Sequence, residues 1–415
     1  MSAPAASREA VEAVWRIESA HIVGTLARWC GDFATAEDVA QEALAAALVT
    51  WPRDGVPANP AGWLLTTARR RAIDAFRRRS ALDERYADIA HRTDEAEDLD
   101  WDPDRIEDDL LALMFIACHP ALSRESQVAL TLRVVGGLTS DEIARGFLVP
   151  TATVQARITR AKKTLAAARV PFEVPPPEER RERLGSVLSV IYLIFTEGST
   201  ATAGSALIRV DLAREAIRQA RMLARLMPEP ETFGLLALLE LTAARFPART
   251  DSDGDPVLLE DQDRRRWDLS AIRRGRGALE VAGKAGRGLG AYGVQAAIAE
   301  CHAVAPSVDE TDWSRIVVLY EALGRLAPSP VVDLNRAVAV SMADGPATAL
   351  PIVDDLVAAG ALAGTHLLPT VRGELLTRLG RTEETRAELE DAVRLCGNDA
   401  ERRVLERKIE ALGQG

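Results

Sequence analysis

The chain has 415 residues, of which 47% are hydrophobic, and its formal net charge is −11 at pH 7. This length predicts two to three domains, and the acidic balance excludes a protein that coats nucleic acid over its whole surface. Any contact with nucleic acid must therefore be confined to local basic patches. Aromatic residues are scarce, strand-like alternation is rare, and Ala, Leu, Arg and Glu dominate, so we predict an all-α fold.

The cysteines give no sign of a metal site or a disulfide framework. Cys30, Cys118, Cys301 and Cys396 are far apart in the sequence, and no CxxC motif occurs. We interpret them as packing residues and expect neither a metal nor a cofactor. The sequence also contains no signal peptide and no apolar stretch of membrane-spanning length, so we expect a cytoplasmic protein without a membrane partner.

Residues 8–80 form the first predicted domain, with three helical patterns. Apolar residues at helical spacing indicate a first helix around residues 14–26, and residues 35–38 (Thr-Ala-Glu-Asp) are expected to cap the second. The second helix begins with the polar side chains Asp38, Gln41 and Glu42. The third helix follows a Pro-containing loop and has one apolar side and one Arg-rich side, within residues 63–79.

Residues 81–109 are strongly acidic, a composition typical of a solvated linker. Residues 110–170 follow as the second predicted domain. In it, Thr139 and Glu142 have capping-box spacing, which predicts a helix that begins at Ser140. Pro150 then separates this helix from another, in which Val154, Ile158, Ala161 and Leu165 form the expected buried stripe.

These two patterns are typical of a helix-turn-helix, in which the second helix enters the DNA major groove. An ordinary helical hairpin with a solvated basic face is the alternative. The polar side chains of the second helix lie mostly off the buried stripe, as a DNA-reading face requires. They are Thr151, Thr153, Gln155, Arg157, Arg160 and Lys162, followed by Lys163.

Residues 171–177 form a stiff Pro-rich hinge, and residues 178–415 form long apolar helical patterns with short Gly and Pro breaks. Two segments, around Gly345 and Gly380, each have the pattern of a helix, a turn and a second helix. Their glycines are about one tetratricopeptide repeat length apart. We therefore predict an α-solenoid, tetratricopeptide-like domain with a possible protein partner. Residues 263–268 around Trp267 are either a docking element or a buried turn anchor.

No catalytic or nucleotide-binding signature is present. Gly283 and Lys284 lack the remainder of a P-loop, and residues 251–255 lack the glycine and glutamate of a calcium loop, so they predict a turn. The five histidines form no HExxH motif. We therefore predict that the protein is not an enzyme.

Two segments together resemble a known family. Residues 35–42 (Thr-Ala-Glu-Asp-Val-Ala-Gln-Glu) and residues 59–74 (Asn-Pro-Ala-Gly-Trp-Leu-Leu-Thr-Thr-Ala-Arg-Arg-Arg-Ala-Ile-Asp) resemble region 2 of ECF-type bacterial RNA polymerase sigma factors. Residues 138–163 resemble their region 4. The long C-terminal half resembles the extension of an ECF subgroup. The resemblance implies transcription initiation with core RNA polymerase, through its β′ clamp helices and β flap, at promoter DNA.

The resemblance also implies a role for individual residues. Asp38, Gln41 and Glu42 correspond to residues that contact the clamp helices. The recognition helix corresponds to the element that reads the minus-thirty-five sequence, but Pro150 and Gln155 depart from the usual residues, so base preference does not transfer. The residues expected to face the minus-ten element are Trp63, Arg69, Arg70, Asp74, Arg77 and Arg78.

The sequence is also compatible with two other functions. A helix-turn-helix regulator with a helical-repeat sensor would bind a palindromic site as a dimer without polymerase. The second alternative is a solenoid scaffold whose N-terminal half is a protein-binding helical bundle. The C-terminal half is expected to modulate activity in cis, either by covering the basic faces or by bracing the DNA-binding domains.

Overall fold

The computed structural model describes residues 3–80, 103–199, 209–251, 255–284 and 288–413, with the side chains of residues 3–8, 78–80 and 103–106 outside the description. These parts confirm the all-α prediction. They are helical throughout, and the one β-type contact among them is an isolated bridge between Thr250 and Pro256. The chain divides into two compact units, Met1–Leu193 and Ile194–Gly415, so the boundary lies inside the helix Pro177–Ser199.

Eight helices begin among the described residues of the first unit. In chain order the helices are α1 (Ala3–Cys30), α2 (Phe33–Asp54), α3 (Pro60–Ser80), α4 (Pro103–Ala117), α5 (Arg124–Val134), α6 (Ser140–Phe147), α7 (Thr151–Ala167) and α8 (Pro177–Ser199), which continues into the second unit.

Helix α1 lies at the centre of the first unit and packs against α2, α3 and α4. Large apolar side chains fill the contacts, including Leu26, Trp51, Leu64 and Phe76, each at most 1% exposed. The predicted cap of α2 is wrong by three residues. Asp32 is the N-cap, because its carboxylate accepts hydrogen bonds from the backbone N–H groups of Ala34 and Thr35.

Helices α6 and α7 form the predicted helix-turn-helix. Helix α6 begins at Ser140, and the capping box is complete, because Thr139 Oγ1 accepts the Glu142 N–H and Glu142 Oε2 accepts the Thr139 N–H. Leu148 ends α6 in the left-handed conformation, and Pro150 is the N-cap of α7. The buried residues of α7 are the four predicted ones, Val154, Ile158, Ala161 and Leu165.

In the second unit, helices that are neighbours in sequence also pack against each other. Gly345 and Gly380 occupy the turns between helices with positive φ, as the repeat pattern predicts. The helices are α9 (Val210–Leu226), α10 (Pro230–Ala243), α11 (Leu269–Lys284), α12 (Ala291–Val304), α13 (Trp313–Leu326), α14 (Pro330–Ala343), α15 (Pro346–Ala358), α16 (Leu367–Arg378), α17 (Thr382–Leu395) and α18 (Asp399–Leu412).

The loop between α10 and α11 is anchored by Trp267, which is 4% exposed. The Arg264 guanidinium lies 4.4 Å from its ring centroid and that of Arg245 lies 5.7 Å from it. Trp267 is therefore a buried turn anchor, and the docking alternative is wrong for this side chain. Among the described residues, no helix is both long and apolar enough to cross a membrane.

Candidate nucleic-acid interface

Helix α3 presents its predicted basic face largely to solvent. Arg70, Asp74 and Arg77 are exposed. Arg69 is different, because its guanidinium lies over the Trp29 ring, 5.3 Å from the centroid, and is half-buried. The side chain of Arg78 lies outside the described residues.

An open depression joins this face to α2. Glu42, Thr67, Arg70, Arg71 and Asp74 line it, and Arg71 donates to Glu42 across 2.9 Å. Two residues expected at the minus-ten element, Arg70 and Asp74, therefore share one surface with Glu42, which is expected to contact polymerase. Alternating positive and negative side chains fix the orientation of any partner that lies here.

Trp63, at the start of α3, packs edge-to-face against the buried Trp51, with the ring centroids 5.6 Å apart. Trp63 itself is half-buried. Trp63 therefore packs against the core through Trp51 and keeps part of its surface accessible.

Most of the predicted reading face of α7 is accessible. Gln155 and Arg160 are exposed, and Thr153 and Arg157 are partly exposed. Thr151 donates from Oγ1 to Asp141 Oδ1 across 2.7 Å, which links the first turn of α7 to α6. Helix α7 therefore presents amide and guanidinium groups at the surface.

Lys162 does not lie on this accessible face of α7. Its side chain is 15% exposed, and its ammonium group donates to Glu37 Oε2 across 2.8 Å and also to Asp38 Oδ1. Lys162 was expected to contact DNA and Asp38 to contact polymerase, yet here they form an ion pair between α7 and α2. Burial lowers the pKa of Lys162, but Glu37 and Asp38 more than offset this and raise it above its ordinary value.

Glu37 is the centre of this contact, which we call the α2–α7 contact. Its side chain is 3% exposed and also accepts a hydrogen bond from Arg133 Nε of α5 across 3.3 Å. A buried carboxylate between two cations has its charge compensated, whereas the removal of the carboxylate leaves two cations facing each other. The sequence does not single out Glu37 or Arg133, because they are 96 residues apart and only folding brings them together.

Helix α1 adds further contacts between the same two parts of the unit. Arg16 pairs with Glu142 across 2.5 Å, and Arg28 pairs with Asp109 across 3.4 Å. Gly137, with φ of 67°, comes so close to α1 that a Cβ added there would lie 2.6 Å from Ser19 Oγ. The helix-turn-helix is therefore packed directly onto the N-terminal bundle.

The helix-capping glutamate takes part in this packing. Burial raises the pKa of Glu142, but hydrogen bonds from Thr139 and the charge of Arg16 act in the opposite direction and hold it below its ordinary value. Glu142 thus serves α6 as a cap and α1 as an ion-pair partner.

Family models match three successive parts of the chain. Residues 17–82 match the model of sigma-70 region 2, residues 112–165 match sigma-70 region 4, and residues 183–283 match a family of unknown function, DUF6596. An uncharacterised protein of Rhizobium meliloti (strain 1021) is 43% identical over 403 residues, covering 94% of this chain and 93% of the relative. No solved structure matches significantly.

Sigma factors are non-enzymatic DNA-binding proteins of transcription initiation. Both of their DNA-binding regions are present here, in the expected order, and a helical region follows them. The chain therefore belongs to the sigma-70 family, as an ECF-type sigma factor with a helical C-terminal extension.

Proposed function

We propose that this sigma factor binds core RNA polymerase through Asp38, Gln41 and Glu42 of α2 and directs it to promoters with α3 and α7. The observation that carries the proposal is the presence of both sigma regions in one chain, with accessible Arg70, Arg77, Gln155 and Arg160 on the two helices concerned. Helix α3 would face the minus-ten element, and α7 the minus-thirty-five element.

Charge supports a role that depends on polymerase. The chain carries a net charge of −11, so DNA repels most of its surface and is attracted only to the faces of α3 and α7. Polymerase provides the remaining affinity. We therefore expect weak binding of duplex DNA by the isolated protein and tight promoter binding by the holoenzyme.

Transcription with purified core polymerase tests this function. Promoter-specific initiation that depends on the added protein supports it. Tight, sequence-specific gel shifts by the isolated chain, without any initiation, would instead support a polymerase-independent helix-turn-helix regulator.

The α2–α7 contact adds a requirement to this function. The minus-ten and minus-thirty-five elements are separated by about 25 base pairs, or about 85 Å of duplex. In the structure, by contrast, Lys162 of α7 touches Glu37 and Asp38 of α2. One molecule cannot read both elements in this arrangement, so we infer that it belongs to the free protein and that polymerase binding separates the two regions.

The connecting segment is long enough for such a separation. Residues 81–102, fully extended, span about 75 Å, which with the width of the two regions covers the distance between the promoter elements. Opening also frees Asp38 for polymerase and Lys162 for DNA. The contact thus withholds one residue of each interface until both partners are present.

A distance measurement tests the opening. All four native cysteines are buried, so fluorophores can be attached to new cysteines at two exposed positions, Val49 of α2 and Ala121 before α5. High energy transfer in the free protein and low transfer in the holoenzyme support the inference. Equal transfer in both states would contradict it.

We further propose that the C-terminal extension supports activity in cis. The boundary between the two compact units falls within α8, so the extension begins in a helix whose earlier part belongs to the first unit. Arg183 in the first half of α8 donates to the Phe115 carbonyl across 3.2 Å. The extension therefore begins on a helix already anchored to region 4.

A further inference from the structure

Three side chains of the kinds that bind transition metals meet near the end of the chain. His366 precedes α16, Cys396 follows α17, and Glu401 lies in the first turn of α18. Their ligand atoms, one ring nitrogen, one sulfur and one carboxylate oxygen, all lie within 4.8 Å of one another. The cluster is remote in sequence from the sigma regions and plays no part in the function proposed above.

Local hydrogen bonds hold the backbone that carries two of the three side chains. Asn398, 1% exposed, caps α18 by accepting the backbone N–H groups of Ala400 and Glu401. Arg402 donates to the carbonyl oxygen of Cys396. The backbone from Cys396 to Glu401 is thus fixed by local hydrogen bonds, which set the positions from which both side chains extend.

The spacing matches a tetrahedral zinc centre. Zinc bond lengths place nitrogen and oxygen ligands about 3.4 Å apart, and sulfur about 3.6 Å from either. His366 Nε2 and Glu401 Oε2 are 3.4 Å apart. Since no pair exceeds 4.8 Å, the sulfur must move by about 1.2 Å at most, which side-chain rotation provides.

Burial and charge also suit a cation here. Cys396 is 2% exposed, whereas His366 and Glu401 retain side-chain exposures of 24% and 27%. The site is therefore closed on the sulfur side and open on the other. A thiolate and a carboxylate neutralise the two charges of zinc, so the nearby Arg249 meets a neutral centre rather than a positive one.

We propose that His366, Cys396 and Glu401 form a zinc site with an open fourth position. A bound ion would join the start of α16 to the turn between α17 and α18, and so stabilise the end of the extension. The sequence shows no metal-binding motif here, because His366 and Cys396 are 30 positions apart.

The test is metal binding by the full chain. The protein is stripped with a chelator and titrated with Zn²⁺ against a chromogenic competitor. Cobalt(II) is then added to a second sample, because a thiolate-to-cobalt charge-transfer band reports sulfur ligation directly. We expect one saturable site per chain and this band. No saturable uptake at one equivalent would overturn the proposal.

Three variants identify the ligands, and one serves as a control. Cys396→Ser, His366→Gln and Glu401→Gln should each weaken zinc binding by about 100-fold or more, and Cys396→Ser should abolish the cobalt band. Cys301→Ser removes another buried thiol and should leave both readouts unchanged. Circular dichroism checks that each variant is folded. Binding that is indifferent to all three substitutions in folded protein would refute the site.

Discussion

The ammonium group of Lys162 lies 2.8 Å from Glu37 Oε2, so the helix predicted to read promoter DNA is paired with the helix predicted to bind polymerase. Arg133 approaches the same carboxylate from α5. A single buried glutamate therefore holds three helices together, and its charge is the point at which the α2–α7 contact is most easily disturbed.

The first prediction concerns Glu37→Gln. It leaves Lys162 and Arg133 beside a neutral amide, which should destabilise the α2–α7 contact by about 1–3 kcal/mol. We expect lower energy transfer between labels at positions 49 and 121 in the free protein. Because less energy is then spent on opening, core polymerase should bind up to about 100-fold more tightly.

Glu12→Gln is the matched control, since Glu12 is an exposed glutamate of α1 and the charge change is the same. It should alter neither readout. Unchanged energy transfer in folded Glu37→Gln protein would show that the contact does not depend on this carboxylate.

The second prediction concerns Gln155→Ala on the exposed face of α7. An amide that bonds a base edge provides about 1–3 kcal/mol of discrimination. The variant should lose preference among minus-thirty-five sequences while keeping polymerase binding. Transcription from a set of promoters altered in this element measures the change.

Lys163→Ala, exposed on the same helix, is the comparison for charge. Its effect should be small and similar on all the promoters, as expected of a phosphate contact. If Gln155→Ala also acts uniformly across the set, Gln155 does not read bases.

The third prediction concerns removal of the extension. A chain ending at Leu193 keeps most of α8, including Leu184 and Leu188, which are buried and belong to the first unit. We expect this chain to fold and to initiate transcription about 5-fold less well or worse, which corresponds to a coupling of about 1 kcal/mol or more.

A chain ending at Pro171 is a less informative truncation, because it also loses the hydrogen bond from Arg183 to the Phe115 carbonyl. Lower activity of that chain could therefore come from a less stable first unit. Higher activity of the Leu193 truncation would indicate inhibition by the extension. Unchanged activity would leave the extension as a docking site for another protein.

The fourth prediction is a pH dependence in the second unit. Burial, followed by the charges of Arg245 and Arg264, lowers the pKa of His302 to about 4 from 6.5. The unfolded chain takes up the proton first, so the stabilisation by neutral His302 is complete above pH 6.5 and is lost as the pH falls towards 4. The loss amounts to about 3 kcal/mol over this range.

Urea unfolding at several pH values measures this loss, and the fluorescence of Trp313, whose ring lies 5.2 Å from that of His302, provides a local signal. His302→Gln should flatten the dependence between pH 4 and 6.5. His21→Gln, in the other unit, should leave it as in the parent. A slope that survives His302→Gln would have to come from another group.

The sequence by itself determined the elements whose signals are local. The start of α6 follows from Thr139 and Glu142, three residues apart, and the buried stripe of α7 follows from side chains spaced three to four residues apart on one helix face. The sigma regions were recognisable for the same reason, since their motifs are short continuous segments. The cap of α2 was misplaced because Asp32 and Thr35 are both good caps, and the backbone used the earlier one.

The tertiary structure alone decided which polar side chains are accessible to a partner and which are held in contacts within the protein. Lys162 looks like its neighbours in the sequence, but folding brings it to Glu37, 125 residues away, where a buried carboxylate binds it. Trp267 likewise became an anchor only because Arg245 and Arg264 enclose it. Periodicity predicts the face of a helix on which a side chain lies, whereas the partner of a charge depends on which distant segment packs beside it.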